Sequence, residues 1–303
     1  YKIVNGVKKV FTDEPVVQKI EKDKTKGLFV VVGSKGIILT SSNGTTWTSK
    51  TSGTRDYLYG VTYGDGTFVT VGGRGTILTS SNGTTWTERT YVSGTSGDLK
   101  GVTYRNSTFV IVGESGIILT SSNGTGWEDR TDKNVTSRDL FGVTSGNGLF
   151  VIVGGSRTIL TSSDGTTWTK RSSNIQGNLY GVTYGNGLFV TVGRRGTIFT
   201  SSDGTTWTQR TSGTSNTLYG VTYGNGLFVT VGSSGTILTS SDGTTWTQRT
   251  SGTSNSLIGV TYGNGFFVTV GSSGTIFTSS DGTSWTQRTS GTSRNLKSIT
   301  YSQ

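Results

Sequence analysis

The chain has 303 residues, a formal net charge of +10 and 30% hydrophobic residues, with 48 glycines, one proline and no cysteine, methionine or histidine. The absence of cysteine and histidine excludes the usual zinc, haem and iron–sulfur sites, thiol nucleophiles and serine triads that use imidazole. We therefore expect no cofactor. The chain also lacks any apolar run long enough to cross a bilayer, so no membrane span is predicted.

Residues 1–26 form a predicted N-terminal arm that differs from the rest of the chain. Asn5-Gly6 favours a two-residue β-hairpin turn, and a further strand is predicted at residues 16–20. Because an isolated hairpin is marginal in water, the arm needs a packing partner. It either packs on the rest of its own chain or links to a further domain, or it adds strands to another subunit and builds an assembly or filament. The apolar residues predicted to make this self-association are Ile3, Val4, Val7, Val10 and Phe11.

Residues 27–303 consist of seven repeats, each marked by one tryptophan. Successive tryptophans are 39 or 41 residues apart, which is typical of the repeat length of a propeller blade. The seven tryptophans are Trp47, Trp86, Trp127, Trp168, Trp207, Trp246 and Trp285.

Each repeat is predicted to contain four short antiparallel strands. In the sixth repeat they are Leu218–Tyr223, Leu227–Val231, Thr236–Ser240 and Thr245–Thr250, with the tryptophan on the outermost strand. Glycine-rich turns separate them, and Asp242-Gly243 predicts a two-residue hairpin with positive φ. Seven such repeats predict an all-β, seven-bladed β-propeller of four-stranded antiparallel blades.

The two ends of the repeat region indicate how the ring closes. The tail Leu296–Tyr301 resembles an inner strand but has no strands after it, whereas the first repeat has charged residues where its inner strand should be, at 19–24. We therefore expect the C-terminal strand to complete the first blade, which leaves no free sheet edge.

A short motif recurs at the third hairpin of the repeats. It reads Ser-Ser-Asp-Gly-Thr-Thr-Trp at 162–168, 201–207 and 240–246, with one serine for threonine at 279–285 and asparagine for aspartate in the first three repeats. This motif resembles the Asp-box, or BNR-like, repeat of sialidase-like and photosystem-assembly-factor-like propellers, although it has one residue fewer between aspartate and glycine. The resemblance covers residues 27–301 and implies the fold alone.

In that family the box is mainly a structural element, in which the acidic oxygen binds turn amides and the tryptophan packs beneath. The resemblance implies this role for the seven tryptophans and for Asn43, Asn82, Asn123, Asp164, Asp203, Asp242 and Asp281. One carboxylate per hairpin falls well short of the oxygen ligands that calcium takes. No metal site is therefore predicted.

The same resemblance raises the question of sialidase activity. A sialidase needs an arginine cluster, a tyrosine nucleophile with a glutamate partner, and an acid/base aspartate. The Arg-Ile-Pro signature of that family is absent, and the single proline is Pro15. Since active sites usually lie on distinctive loops and these repeats are nearly uniform, we expect no enzymatic activity and no catalytic residues.

Basic residues recur at two places in the repeats. One cation on each outer strand is interpreted as protection of a sheet edge. A second set lies in the second hairpins, which should share one face with the connections between blades. That face is predicted to attract a glycan or another acidic surface polymer. Specific nucleic-acid binding is not expected, because the turns lack aromatic side chains for base stacking. The residues of this predicted basic face are Lys35, Arg74, Arg157, Arg194 and Arg195.

The repeats predict a role in folding and surface presentation. We expect a non-enzymatic structural or interaction propeller, extracellular or at the cell surface because of its serine-, threonine-, glycine- and asparagine-rich composition. The alternative is a multivalent glycan-binding lectin that uses equivalent pockets between blades.

Overall fold

A computed structural model describes residues 27–89, 97–171 and 177–302, together with the backbone of two short strands, Lys2–Val4 and Val7–Lys9. The part from residue 27 onward forms seven four-stranded antiparallel sheets. We number these sheets as blades 1 to 7 in chain order, starting with the one that contains Phe29–Gly33. The seven-bladed, all-β propeller predicted from the sequence is confirmed.

From the axis outward, each blade has an inner, a second, a third and an outer strand. The inner strands of blades 1 to 7 are Leu296–Tyr301, Leu58–Gly64, Leu99–Arg105, Leu140–Gly146, Leu179–Gly185, Leu218–Gly224 and Leu257–Gly263. The second strands are Phe29–Gly33, Thr67–Gly72, Thr108–Gly113, Leu149–Gly154, Leu188–Gly193, Leu227–Gly232 and Phe266–Gly271. The third strands are Ile38–Ser41, Ile77–Ser80, Ile118–Ser121, Ile159–Ser162, Ile198–Ser201, Ile237–Ser240 and Ile276–Ser279. The outer strands are Thr48–Lys50, Thr87–Glu88, Glu128–Asp129, Thr169–Lys170, Thr208–Arg210, Thr247–Arg249 and Thr286–Arg288.

The ring closes through the C-terminal strand, as predicted. Leu296–Tyr301 pairs antiparallel with Phe29–Gly33, with Tyr301 opposite Phe29. The amide of Ser302 then donates to the carbonyl oxygen of Leu28 at 3.0 Å. Hydrogen bonds rather than a covalent link therefore join the two ends of the propeller.

The core consists of layers between neighbouring blades. In the second strand of blade 6, Phe228 packs in the layer shared with blade 5, whereas Val229 and Val231 pack in the layer shared with blade 7. This alternation follows from the two-residue period of a strand whose faces are both covered. The closing layer has the same construction, with Leu296 of blade 1 packed against Val270 of blade 7.

A short 3-10 turn joins the second and third strands of every blade. These turns are Ser34–Gly36, Gly73–Gly75, Glu114–Gly116, Gly155–Arg157, Arg194–Gly196, Ser233–Gly235 and Ser272–Gly274. In blade 6 the turn ends in Gly235, which has a φ of +66° and lies where a Cβ would overlap the carbonyl oxygen of Thr253. Glycine thus allows the turn to pack directly on the segment that leaves the blade.

The predicted two-residue hairpin at Asp242-Gly243 is wrong. The third strand of blade 6 ends at Ser240 and the outer strand begins at Thr247, so six residues connect them. Gly243 has the expected positive φ of 73°, but Asp242 does not have one. Trp246 consequently lies in this connection and precedes the outer strand.

The N-terminal arm is described in part. Its strands Lys2–Val4 and Val7–Lys9 pair as an antiparallel hairpin with Lys2 opposite Lys9. Val10, Phe11 and the strand predicted at residues 16–20 lie outside the described residues. No helix in the described part of the chain has the length and hydrophobicity needed to cross a bilayer.

Candidate functional site

The third hairpins are held by their own aspartate or asparagine side chains. In blade 6, Oδ1 of Asp242 accepts hydrogen bonds from the amides of Thr244 at 2.8 Å and Thr245 at 2.9 Å, while Oγ of Ser240 accepts from the amide of Gly243 at 2.8 Å. The hydrogen bond from the Thr244 hydroxyl, followed by those backbone amides, holds the pKa of the Asp242 carboxyl well below its usual range. The Asp242 side chain competes with the strand ladder for these amides, and this explains why the connection is longer than a two-residue turn.

The other six hairpins repeat this arrangement. The Oδ1 atoms that accept two backbone amides belong to Asn43, Asn82, Asn123, Asp164, Asp203 and Asp281. Asparagine and aspartate therefore perform the same task, because only a carbonyl-type oxygen is needed. These side chains are engaged within their own turns.

The tryptophans pack beneath the same turns. In blade 6 the indole N–H of Trp246 donates to the carbonyl oxygen of Gly243 at 3.1 Å, and its ring lies 6.5 Å from that of Phe228. Trp86, Trp207 and Trp285 make the equivalent hydrogen bond. The indole N–H groups of Trp47, Trp127 and Trp168 are buried and have no hydrogen-bond partner in the described part of the chain.

The second hairpins and the connections between blades share one face of the ring, which we call the loop face. The amide of Gly73 donates to the carbonyl oxygen of Tyr57 at 2.8 Å, and the amide of Arg74 donates to Oδ1 of Asp98 at 3.2 Å. The five residues of the predicted basic face are all exposed here, in blades 1, 2, 4 and 5. Arg74 forms an ion pair with Asp56, so the positive charge of this set is partly compensated.

The axis of the loop face carries a ring of side chains that differ from blade to blade. They are the second residues of the inner strands, and we call them the axial ring: Lys297, Tyr59, Lys100, Phe141, Tyr180, Tyr219 and Ile258. Six of them, all except Tyr180, line a cavity of about 180 Å³, whose walls also include the glycine and valine that follow in blades 2 to 7 and Ser298 and Ile299 in blade 1. The glycines let the inner strands approach closely, since a Cβ on Gly220 would lie 2.6 Å from the carbonyl oxygen of Ile258.

Three successive blades contribute an aromatic row to this ring. The rings of Phe141 and Tyr180 are 5.3 Å apart, and those of Tyr180 and Tyr219 are 5.7 Å apart. On the other side of the axis, the exposed Tyr57 stacks on Tyr59 at 6.2 Å. Aromatic faces thus occupy most of the rim.

The two lysines of the axial ring differ in their electrostatic surroundings. Nζ of Lys100 lies 2.7 Å from Asp98 and 3.1 Å from Glu114, and 4.0 Å from the centre of the Tyr59 ring. Burial opposes the charge of Lys100, but hydrogen bonds to Asp98 and Glu114 outweigh it and raise its pKa. Burial, followed by repulsion from Lys100, lowers the pKa of the half-buried Lys297. Within the described part of the chain, Lys297 has no ion-pair partner.

The axial ring was not identified from the sequence. Its signal was present, because the inner-strand motif Leu-x-Gly-Val is nearly constant between repeats while the second position changes from tyrosine to lysine, phenylalanine and isoleucine. Seven single residues spaced along the chain become one surface only after the inner strands gather around the axis.

On the described part of the loop face, grooves of similar construction lie at the outer rim of blades 1, 5, 6 and 7; the segments that follow the outer strands of blades 2 and 4 lie outside the described residues. Each is bounded by the second hairpin, the end of the outer strand and the following Thr-Ser-Gly-Thr segment. Their volumes are about 340, 690, 540 and 560 Å³, respectively. We call them the arc grooves.

Hydrogen bonds orient the parts of each arc groove. In blade 5, Nε of Arg210 donates to Oγ1 of Thr200 at 2.9 Å, and the buried hydroxyl of Ser212 donates to the carbonyl oxygen of Thr214 at 3.2 Å. Blades 6 and 7 repeat both bonds through Arg249, Ser251, Arg288 and Ser290. Blade 1 keeps the serine bond and has Lys50 in place of the arginine. Among the described residues, no group of three or more carboxylates is close enough to hold a metal ion.

Comparisons with known proteins relate this chain to others through its fold. The sequence matches no protein-family model and no curated protein. The structure is similar to YCF48 bound to D1 peptide, with a TM-score of 0.66 and 17% identity over 82% of this chain and 86% of that chain. It is also similar to YCF48 from Cyanidioschyzon merolae, with a TM-score of 0.59 and 15% identity over 76% and 84% of the two chains. A third similar structure is the WD40 propeller domain of Doa1, with a TM-score of 0.65 and 14% identity over 80% and 85%.

Proposed function

We propose that this chain is a non-enzymatic interaction propeller that binds a peptide segment of a partner at its axial ring. The observation that carries the proposal is the set of side chains that the inner strands bring together at the axis. The second residue of the inner strand is tyrosine, lysine, phenylalanine or isoleucine, and these residues gather around one mouth of the axis. A concave site that brings aromatic and charged side chains together is typical of recognition.

The chemistry of the ring favours an acidic peptide that also carries an apolar side chain. The row of Phe141, Tyr180 and Tyr219 offers aromatic faces to an aromatic or aliphatic group. Lys297 offers a half-buried cation without an internal partner, and a carboxylate would compensate the cost of its burial. The peptide-bound form of YCF48 supports the use of this fold for peptide binding, at the level of fold analogy only.

The carboxylates near the axis favour binding over catalysis. Oδ1 of Asp98 accepts the amide of Arg74, and Oε2 of Glu114 accepts the amide of Asp98 at 3.2 Å. Both carboxylates also bind Lys100. A catalytic acid or base exchanges its proton during a reaction, whereas these two carboxylates hold backbone amides and Lys100 in place.

A peptide-display selection tests this proposal. We expect selection on the intact protein to enrich peptides that combine acidic with aromatic or aliphatic residues. Lys297→Gln should weaken their binding by about 10- to 100-fold, which corresponds to a hydrogen bond with a charged group. Arg294→Gln is the control, because it removes an exposed cation three residues away. Equal affinity of the selected peptides for wild type and Lys297→Gln would contradict the proposal.

A second candidate function is that of a multivalent lectin, which the four arc grooves favour. Similar polar grooves repeated on one molecule would give avidity for a repeating ligand. The expected result on a glycan array is binding with several equivalent sites per chain. No binding to any glycan would contradict this candidate and leave the peptide site unaffected.

Three further parts of the proposal concern family, location and assembly. We infer that the third hairpins are Asp-box elements, which is supported by the side-chain bonds of Asp242 and its six equivalents. We infer an extracellular or cell-surface location from the hydroxyl- and glycine-rich composition. The paired N-terminal hairpin supports strand addition to another subunit as the route to a filament or surface assembly.

A further inference from the structure

We propose that the four arc grooves together form one extended binding site for an acidic polysaccharide. This inference rests on the lectin candidate and specifies its ligand: a chain of sugars that carry carboxylate or sulfate groups at regular intervals. It concerns the outer part of the loop face and is independent of the axial ring.

The four grooves lie next to one another around the ring. Blades 5, 6 and 7 follow in sequence, and blade 7 packs directly on blade 1 through the closing layer. Thr-Ser-Gly-Thr, the segment that bounds each groove, occurs at 51–54, 211–214, 250–253 and 289–292. The grooves therefore form one continuous arc with a regular angular repeat, as a polymer with a repeating unit requires.

Positive charge lines every groove of the arc. The cations are Arg195 and Arg210 in blade 5, Arg249 in blade 6, Arg288 in blade 7, and Lys35, Lys50, Arg55 and Arg294 in blade 1. No aspartate or glutamate of the described residues lines any of the four. The charged side chains that line the arc are therefore all positive, and their electrostatic potential attracts polyanions.

Negative charge on the described part of the loop face lies mainly on the other side of the ring; Asp56, at the edge of the blade 1 groove, forms an ion pair with Arg74 of blade 2. Asp98 and Asp139, which precede the inner strands of blades 3 and 4, each accept an amide of the preceding blade's second hairpin. Asn295, which precedes the inner strand of blade 1, accepts the equivalent amide of Ser273 at 2.9 Å. The amide oxygen of asparagine thus accepts the same hydrogen bond from the turn, so the fold does not require a carboxylate at this position.

The outer strands show the same separation of charge. Blades 2 and 3 have Glu88 and Asp129 one residue before the outer-strand arginine, whereas blades 5, 6 and 7 have Gln209, Gln248 and Gln287 there. These glutamines line the arc grooves. At both positions the arc blades carry neutral side chains, whereas the carboxylates occur in blades 2 to 4; blade 4 has Lys170 at the outer-strand position.

The arginines of the arc are oriented for planar anions. Arg210, Arg249 and Arg288 each use Nε to bind a threonine of the third strand, at 2.9 Å. This bond fixes the guanidinium and leaves its terminal nitrogens available for a carboxylate or sulfate. The residues that line the grooves include no aromatic side chain, which favours a polysaccharide over single-stranded nucleic acid.

A chain-length series of oligogalacturonates tests the proposal on the full chain. We expect affinity to rise by about 10² to 10⁴ between a dimer and an oligomer long enough to occupy several grooves, and to fall as salt is raised. Fully methyl-esterified oligomers keep the sugar chain without its charge and should not bind. Equal binding of the esterified oligomers would overturn the acidic ligand while leaving the lectin candidate intact. Equal binding of single-stranded DNA of the same charge would overturn selectivity for a polysaccharide.

Matched triple variants test where the polymer binds. Arg210→Gln, Arg249→Gln and Arg288→Gln together should reduce affinity for the long oligomer by at least about 100-fold and remove the gain with chain length. The control replaces the equivalent arginines of blades 2 to 4, Arg89, Arg130 and Arg171, which lose the same Nε bond to a threonine. We expect the control to bind within about twofold of wild type, because distant sites act independently. Equal losses in both triple variants would overturn the arc as the site.

Discussion

Closure of the ring can be tested by removing residues 296–303, which contain the inner strand of blade 1. Leu296 and Ile299 are buried in the closing layer, and the ring of Tyr301 lies 4.5 Å from that of Phe29. Their removal exposes the second strand of blade 1 and one face of blade 7. A milder change in the same layer is Leu296→Ala, for which Leu257→Ala in blade 7 is the matched control, since both leucines are fully buried.

The expected cost follows from the buried side chains. Leucine-to-alanine changes at fully buried sites lower the free energy of unfolding by about 3–5 kcal/mol. We expect similar values for Leu296→Ala and Leu257→Ala, because the closing layer is packed like the others. Deletion of the whole strand loses two aliphatic side chains worth about 2 kcal/mol each and an aromatic pair worth about 1 kcal/mol. That sum is comparable with the total stability of a typical domain, about 5–15 kcal/mol.

Guanidinium chloride unfolding followed by tryptophan fluorescence measures this effect. Trp47 reports on blade 1 directly, because its ring lies 6.3 Å from that of Phe29. The truncated protein should unfold at a much lower denaturant concentration, and a synthetic peptide of residues 294–303 should restore part of the loss. An unchanged midpoint and slope after truncation, or a cost for Leu296→Ala far below that of Leu257→Ala, would refute the closure argument.

Four other predictions concern the turns and the arm. Asp203→Ala should lower the free energy of unfolding by about 1–2 kcal/mol in urea denaturation, as loss of a cap does, whereas Asp203→Asn should be nearly neutral. Because the pKa of each box aspartate is lowered in the folded state, their contribution is present above about pH 4 and is lost as the pH falls further. Replacing all four with asparagine should therefore weaken the dependence of stability on acid pH; an unchanged dependence would contradict this. Gly235→Ala should destabilise more than Gly252→Ala by thermal unfolding, since both have positive φ but only the first would overlap backbone; equal losses would argue against the contact. Removal of residues 1–26 should leave folded monomers in light scattering and electron microscopy, and unchanged assembly would contradict a role for the arm.

Repetition made the fold predictable from the sequence. A tryptophan every 39 or 41 residues gives the number of blades, and glycine-bounded runs such as Leu227–Gly232 give the strands. The unpartnered strand Leu296–Tyr301 gives the closure. Each of these signals is local or periodic in the sequence, so it can be recognised without knowledge of the three-dimensional arrangement.

Features that depend on competition or on distant neighbours were harder to predict. The hairpin at Asp242 was predicted too short because its side chain competes with the strand ladder for the amides of Thr244 and Thr245. The axial ring was missed because its seven residues, one from each repeat, form a single surface only when the inner strands surround the axis. The arc required knowing that blade 1 adjoins blade 7, which makes the blades that carry the grooves of Lys50 and Arg288 neighbours in the ring.

Binding of the polysaccharide to the arc grooves, and not to blades 2 to 4, is tested most directly by an NMR titration of the arginine Nε–H signals with the long oligogalacturonate. Six of these N–H groups donate to third-strand threonines: those of Arg210, Arg249 and Arg288 on the arc, and those of Arg89, Arg130 and Arg171 away from it. Hydrogen bonding should slow their exchange with water and make the six signals observable. We predict shifts for the three arc arginines and none for the other three. Equal shifts at all six, or shifts confined to blades 2 to 4, would contradict the account.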